Sequence, residues 1–210
     1  MSYKIDCSKC QSRCDGKSKC VYNFESDAEY SEHKEQEVID AINRIDGFTA
    51  SKCTLPGYPD IEVHYGDNIF YIEIKAQRRT FMSVQRLLKS SDLIPSETVA
   101  LNLSDLKRYF DIEKNDGKKV YLMWCLENRP CIVSVGKTKF FYQSSEALKG
   151  IYEHYLDKRR FRRGSGKGDV VNGQHKGVVV NYHFSLDELV EADAGSGFID
   201  LLRKGLGVNR

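Results

Sequence analysis

Between Tyr58 and Lys75 the chain reads Y-P-D-I-E-V-H-Y-G-D-N-I-F-Y-I-E-I-K, two strand-like runs joined by turn residues. Asp60, Glu62 and His64 alternate with Ile61, Val63 and Tyr65, the period of two expected of a half-buried strand with one acidic face. Gly66-Asp67-Asn68 supplies turn chemistry. In the second run Phe70, Ile72 and Ile74 share one face, and Tyr71, Glu73 and Lys75 share the other. Folded as an antiparallel hairpin, the two runs bring Asp60 opposite Glu73, because facing residues lie about 5 Å apart.

Two carboxylates converging beside a lysine suit a hard divalent cation. Oxygen ligands from Asp60, Glu73 and the carbonyl of Ile74 fit Mg²⁺ or Mn²⁺, which keep several waters of their own. The chemistry implied is phosphodiester hydrolysis, with Lys75 orienting the attacking water and stabilising charge in the transition state. A surface hairpin with an ordinary cross-strand ion pair, worth about 0 to 1 kcal/mol, is the competing reading.

Pro59-Asp60, a gap of twelve residues, and Glu73-Ile74-Lys75 resemble the signature of the PD-(D/E)XK nuclease superfamily. More narrowly, Gly57-Tyr58-Pro59-Asp60-Ile61, Glu73-Ile74-Lys75 and Ser83-Val84-Gln85 look like its virus-type replication-repair (VRR-NUC) and Holliday-junction-resolvase branch, in which a glutamine follows on the next helix. The resemblance covers about Tyr30 to Ile112. It implies an α/β, restriction-endonuclease-like αβββαβ core with a central mixed sheet, Mg²⁺ or Mn²⁺ dependence and cleavage of duplex or branched DNA. It also implies catalytic roles for Asp60, Glu73, Lys75, Gln85 and a first-helix glutamate. Glu35 is the candidate for that last role, because it shares the helix face of Val38, Ile42 and Ile45. Many members of the superfamily cut duplexes as dimers, so a homodimer is among the partners it implies. A sequence-specific type II restriction endonuclease is the alternative within the class. A non-catalytic, zinc-stabilised nucleic-acid-binding protein is the alternative outside it.

Four of the seven cysteines, Cys7, Cys10, Cys14 and Cys20, crowd the first twenty residues. Clustering of this kind points to a metal in a reducing compartment, with Cys53, Cys125 and Cys131 left as core residues. Four thiolates complete a tetrahedral Zn²⁺ shell at about 2.3 Å, the first reading; an iron–sulfur cluster is the second. The expected organisation is a metal knuckle over 1–25, a nuclease core over 26–117, and a sheet extension with a basic C-terminal α+β region over 118–210.

Net charge is only +2, so contacts to nucleic acid must come from where the basic residues sit. Arg78 and Arg79 follow the lysine of the motif, and Lys158, Arg159, Arg160, Arg162, Arg163 and Lys167 form the most basic run, all candidate phosphate contacts. Gly166-Lys167 is not a P-loop, since no Ser or Thr follows the lysine. No apolar run approaches the roughly 18 residues of a membrane span, and a cytoplasmic protein is expected.

The periodicity predicts a helix from about Ser26 to Ile45, a helix carrying Phe81, Val84, Leu87 and Leu88, a strand over Thr98–Leu103, and a short helix over Ser104–Phe110. It also predicts a hairpin of Val120–Leu126 with Cys131–Val135, a helix over Glu146–Tyr155 and a strand over Val178–Phe184. A capping box at Ser185-Leu186-Asp187-Glu188 is expected to open a C-terminal helix.

Overall fold

A computed structural model describes residues 2–7, 24–78, 80–127, 129–134, 136–162, 170–171, 174–175, 180–192 and 196–207. The chain is mixed α/β around a six-stranded mixed sheet. After helix α1 (Phe24–Asn43) come β1 (Thr49–Lys52), β2 (Ile61–Tyr65) and β3 (Asn68–Gln77), an antiparallel meander. The β2–β3 turn is the two-residue loop Gly66-Asp67, and Gly66 takes the positive φ of 55° that the tight turn requires.

The chain then crosses the sheet through a helical turn, α2 (Val84–Leu87), strand β4 (Thr98–Asn102) and helix α3 (Leu103–Asp116). It returns as β5 (Val120–Leu126), parallel to β3. Next come β6 (Lys139–Ser144), α4 (Ser145–Tyr155), a 3₁₀ turn and β7 (Arg160–Arg162). The small hairpin β8 (Val170–Val171)–β9 (Gln174–His175), β10 (Val180–Ser185), β11 (Val190–Ala192) and α5 (Ser196–Gly205) complete the described chain. The main sheet runs β1-β2-β3-β5-β6-β11, and a second sheet runs β4-β10-β7.

The sequence V-Y-L-M-W-C-L of β5 is apolar at every position because both of its faces are covered. Tyr121, Met123 and Cys125 join Ile72 and Ile74 of β3 beneath α1 and α5, the latter contributing Phe198, Leu201 and Leu202. On the opposite face Val120, Leu122, Trp124 and Leu126 pack with Leu106, Tyr109 and Ile112 of α3, Leu148 of α4, and Tyr182 and Phe184 of the second sheet.

Several expectations change. The strand over Thr98–Asn102 does not enter the main sheet; it pairs with β10, and the parallel neighbour of β3 is β5, which begins three residues beyond 117. β5 pairs antiparallel with β6 rather than with Cys131–Val135, because residues 129–133 are folded into a turn by hydrogen bonds from Ile132 and Val133 to the Arg129 carbonyl. Arg129 itself is 1% exposed and donates to the carbonyls of Ser96 and Thr98. The helix expected around Phe81–Leu88 shrinks to one turn, and Ser83 makes no side-chain cap bond to it. The capping box of Ser185 and Glu188 is present, but it closes a 3₁₀ turn, Leu186–Glu188, after which β11 pairs with β6.

Residues 2–7 lie along the join between the two sheets. Tyr3 N–H donates to Asp187, Ile5 N–H donates to Ser96 Oγ, and the Tyr3 ring stands edge-on to Phe141 at 5.2 Å. Cys10, Cys14 and Cys20 lie outside the described residues. Among the described residues, no helix is long and apolar enough to cross a membrane.

Arg159, expected at a phosphate, is instead internal. It is 2% exposed, its Nη1 is 2.7 Å from both oxygens of Glu188, and Tyr155 stacks on its guanidinium at 3.5 Å. Breaking a buried pair strands its partner's charge, so Arg159→Ala is expected to cost about 3 kcal/mol or more. The exposed Arg162→Ala should stay within about 0.5 kcal/mol of wild type. Urea denaturation of both variants measures the difference, and an equal, small loss in each would contradict the structural role.

Candidate active site

Strand register builds the site. Ile61 faces Ile72, so the next position outward sets Asp60 across from Glu73. The Asp60 carboxylate also accepts the Ile74 N–H at 2.8 Å, while its own carbonyl accepts the Cys53 N–H. Asp60 therefore extends the pairing one residue past the strand end, using side chain and main chain together. Across that pair the Asp60 charge acts on Glu73.

Glu73 is 3% exposed, and Lys75, two residues on and on the same face, places its Nζ 2.5 Å from Glu73 Oε1. Glu35 comes from α1. It pairs with Lys52 of β1 at 3.2 Å and is close enough for its charge to act on Asp60. The structure thus brings Asp60, Glu73 and Lys75 together from the residue before β2 and two positions on β3, while Glu35 of α1 acts on Asp60 through its charge.

Helix α3 supplies a layer that the sequence did not reveal. Tyr109 is 2% exposed, and burial first, with the nearby Glu73 charge, pushes its hydroxyl well above its ordinary pKa. Asp105, one turn earlier, acts electrostatically on Lys75 and pairs with Arg108 at 2.5 Å. Arg108 also reaches over Gly57, where a Cβ would lie 3.3 Å from its Cδ. The φ of +82° at Gly57 and this close approach both call for glycine in the turn that carries Asp60. In sequence Tyr109 falls on the apolar stripe of Leu103, Leu106 and Ile112, so it reads as a core aromatic.

The electrostatics follow from placing like charges in an apolar layer. Burial pushes the Asp60 carboxyl up, against the Ile74 N–H and Lys75, which pull it down. Burial also raises Glu73; Lys75 opposes that, and Asp60 adds to it. Burial acts to lower Lys75, yet the adjacent Glu73 outweighs it and holds the ammonium above its ordinary value. The site in this state holds a firmly charged lysine between two reluctant carboxylates.

Other sequence candidates lie apart. Gln85 is exposed on α2, and among the described residues no hydrogen bond or ion pair joins it to the carboxylates. Gln77 grips β4, donating to the Thr98 carbonyl and accepting from the Ala100 N–H. His64 and Glu62 pair with one another at 2.5 Å. Arg78 lies over the Tyr30 ring at 4.6 Å. Lys158, Arg160 and Arg162 are exposed, with Arg160 paired to Asp157 at 3.2 Å. Arg79, Arg163 and Lys167 lie outside the described residues. Of the expected knuckle, only Cys7 is described, and it is partly buried. Among the described residues, no group of three or more His, Cys, Asp or Glu side chains is arranged to hold a metal ion.

A carboxyl whose pKa is raised by folding takes up protons on folding, so stability falls as pH rises from the ordinary carboxylate range through the folded value. Asp60→Asn removes that penalty and leaves an oxygen for the Ile74 N–H. In EDTA the variant should be at least as stable as wild type near about pH 7, with the difference shrinking as pH falls towards about 4. Urea midpoints across that range measure it, and a variant weaker than wild type at neutral pH would contradict the electrostatic account.

No family model matches the chain, and no curated protein matches it in sequence. Among solved structures, a Holliday junction resolvase from the archaeal hyperthermophile Archaeoglobus fulgidus is similar at a TM-score of 0.42 and 12% identity, over 77% of this chain and 91% of the resolvase.

Proposed function

We propose that the chain is a divalent-metal-dependent DNA endonuclease, structure-selective in its choice of substrate, with its active site at Asp60, Glu73 and Lys75. The observation that carries the reading is the convergence of buried Glu73 and half-buried Asp60 with a lysine held in its charged form. A Mg²⁺ site needs only one or two carboxylates, because substrate phosphate and water complete the shell. The donor pair Asp60 and Glu73 fits such an ion, with the Ile74 carbonyl as a further oxygen. The pair's own electrostatics favour a cation beside them, since burial raises both carboxyls, with Glu35 adding to the rise at Asp60 and Asp60 adding to that at Glu73. When bound, the ion supplies Lewis-acid polarisation of the phosphate and a more acidic water.

The residues of the chain do the rest. Lys75, with one proton engaged by Glu73, has others to donate to a non-bridging phosphate oxygen or to the attacking water. Glu35 adds negative potential next to Asp60 and is itself steadied by Lys52. The exposed Lys158, Arg160 and Arg162 are assigned to the DNA backbone, along with Arg79, Arg163 and Lys167. Gln85 is kept as a supporting residue that would engage with DNA bound, and zinc is assigned to the four N-terminal cysteines.

A sequence-specific restriction enzyme is the second reading, favoured by the added sheet β4-β10-β7, a segment of the kind that could carry base readout. A non-catalytic DNA-binding protein fits less well, because unneutralised carboxylates facing phosphates repel DNA.

Metal-stripped protein incubated with a branched junction, supercoiled plasmid and single-stranded circles should cut only after Mg²⁺ or Mn²⁺ is restored, and the junction should be cut fastest. Lys75→Ala and Asp60→Ala should each lose at least about a hundredfold in rate while retaining DNA binding. Full activity in both variants would remove the site assignment, and preferential cutting of plasmid at fixed positions would favour the restriction reading. Elemental analysis should find about one zinc per chain and no visible chromophore; iron with a brown colour would instead mean a cluster.

A further inference from the structure

We propose that the cleft where helices α3 and α4 converge binds a nucleoside phosphate. Asp60, Glu73 and Lys75 do not line it, so the site stands or falls independently of the nuclease reading. Helix α3 ends at Asp116, and Gly117, with a φ of 65°, turns the chain through Lys118 and Lys119 into β5. Glu146 and Lys149, on the first turns of α4, form the facing wall. The two helices are joined by the rings of Phe110 and Tyr152, whose centroids are 6.0 Å apart. The cleft holds about 330 Å³, at the small end of the range for small-molecule sites.

Four lysines, Lys114, Lys118, Lys119 and Lys149, converge here against two glutamates. Glu113 is already engaged, its Oε1 accepting the Val120 N–H at 2.9 Å. Lys119 is fixed, because its Nζ donates to the Lys204 carbonyl at 2.8 Å, and it keeps two further protons to donate. Among the described residues, no ion pair joins Lys114, Lys118 or Lys149 to a carboxylate. Elsewhere lysines are matched: Lys4, Lys34, Lys52, Lys75 and Lys139 each lie against an acidic side chain. Unmatched ammonium groups around one concavity raise its potential for an anion and are ready donors to phosphate oxygens.

Lysines alone would accept any anion. Two other groups narrow the class. Phe110 is only partly buried and lines the cleft, so it offers ring surface on which a base can stack. Glu146 is exposed, and an ionised carboxylate only accepts hydrogen bonds, so it suits a base amino group or a sugar hydroxyl and repels phosphate. Cations, an aromatic ring and one acceptor match the three parts of a nucleoside phosphate. Such a ligand comes either as a free nucleotide or as part of a nucleic-acid strand. The competing account is a solvated seam whose lysines only confer solubility, and it predicts no selectivity among anions.

The full chain, in EDTA so that no cleavage intervenes, is titrated by calorimetry with dATP and with inorganic triphosphate at about 50 mM salt. A short single strand bearing a 5′-phosphate is the competitor, and thermal melts check that each variant is folded. The double variant Lys114→Ala/Lys149→Ala, at two exposed positions, should bind dATP about tenfold more weakly than wild type. Lys137→Ala, at an exposed lysine outside the cleft, should bind as wild type does. Phe110→Leu should weaken dATP about fivefold and leave triphosphate unchanged.

Displacement of dATP by the strand assigns the site to nucleic acid, and dATP binding that the strand does not displace assigns it to free nucleotides. Absence of dATP binding overturns the proposal, as does equal weakening in Lys137→Ala. Triphosphate bound as tightly as dATP means a surface for anions only and overturns the nucleotide assignment. Metal-dependent cutting of the junction is measured separately, so these failures leave the reading of Asp60, Glu73 and Lys75 where it stands.

Discussion

The pairing of β3 with β2 on one side and β5 on the other is the constraint on which the rest depends. A strand's side chains alternate between faces, so a slip of one residue would send Glu73 and Lys75 into the apolar layer beneath α1 and bring Ile72 and Ile74 to the site. Burial of both faces makes that slip prohibitive. The same pairing sets Asp60 opposite Glu73, and the bond from the Ile74 N–H to Asp60 pins the first residue outside the ladder. Because β3 and β5 are parallel, the chain between them must cross the sheet, and the crossover lays α3 over the carboxylates.

The site is costly in the state described. Two carboxylates at facing positions, one of them 3% exposed, lie within an otherwise apolar layer, with Lys75 as the neighbouring cation. A structure built only for stability would put apolar side chains at Asp60 and Glu73, as it does at Ile61 and Ile72 one step away. Departures of this kind concentrate where charge has work to do. The surrounding pairs, Asp105 with Arg108 on α3 and Lys52 of β1 with Glu35 of α1, set further charge around the site.

Charged residues elsewhere fall into two physical classes that look alike in sequence. Within Lys158-Arg159-Arg160, the middle residue turns inward to Glu188 while its neighbours face solvent. Arg129, four residues before Val133, likewise becomes a buried strut that ties its turn to the carbonyls of Ser96 and Thr98. Composition places both among phosphate contacts or solvated loops. Only the partner, 29 residues away for Arg159 and more than 30 for Arg129, decides otherwise.

The sequence by itself determined what depends on local periodicity. The two alternating runs around Gly66, the acidic face shared by Glu73 and Lys75, the opposition of Asp60 to Glu73, and the helical face of Glu35 all follow from strand and helix repeats and a two-residue turn. Tertiary structure alone decided what depends on distant pairing. It took Thr98–Asn102 into a second sheet, gave β5 the place beside β3, turned the capped segment at Ser185 into a single turn followed by a strand, and turned Arg159 inward to Glu188. Strand partners and buried ion pairs are chosen by contacts between residues tens of positions apart, and no repeat along the chain records that choice.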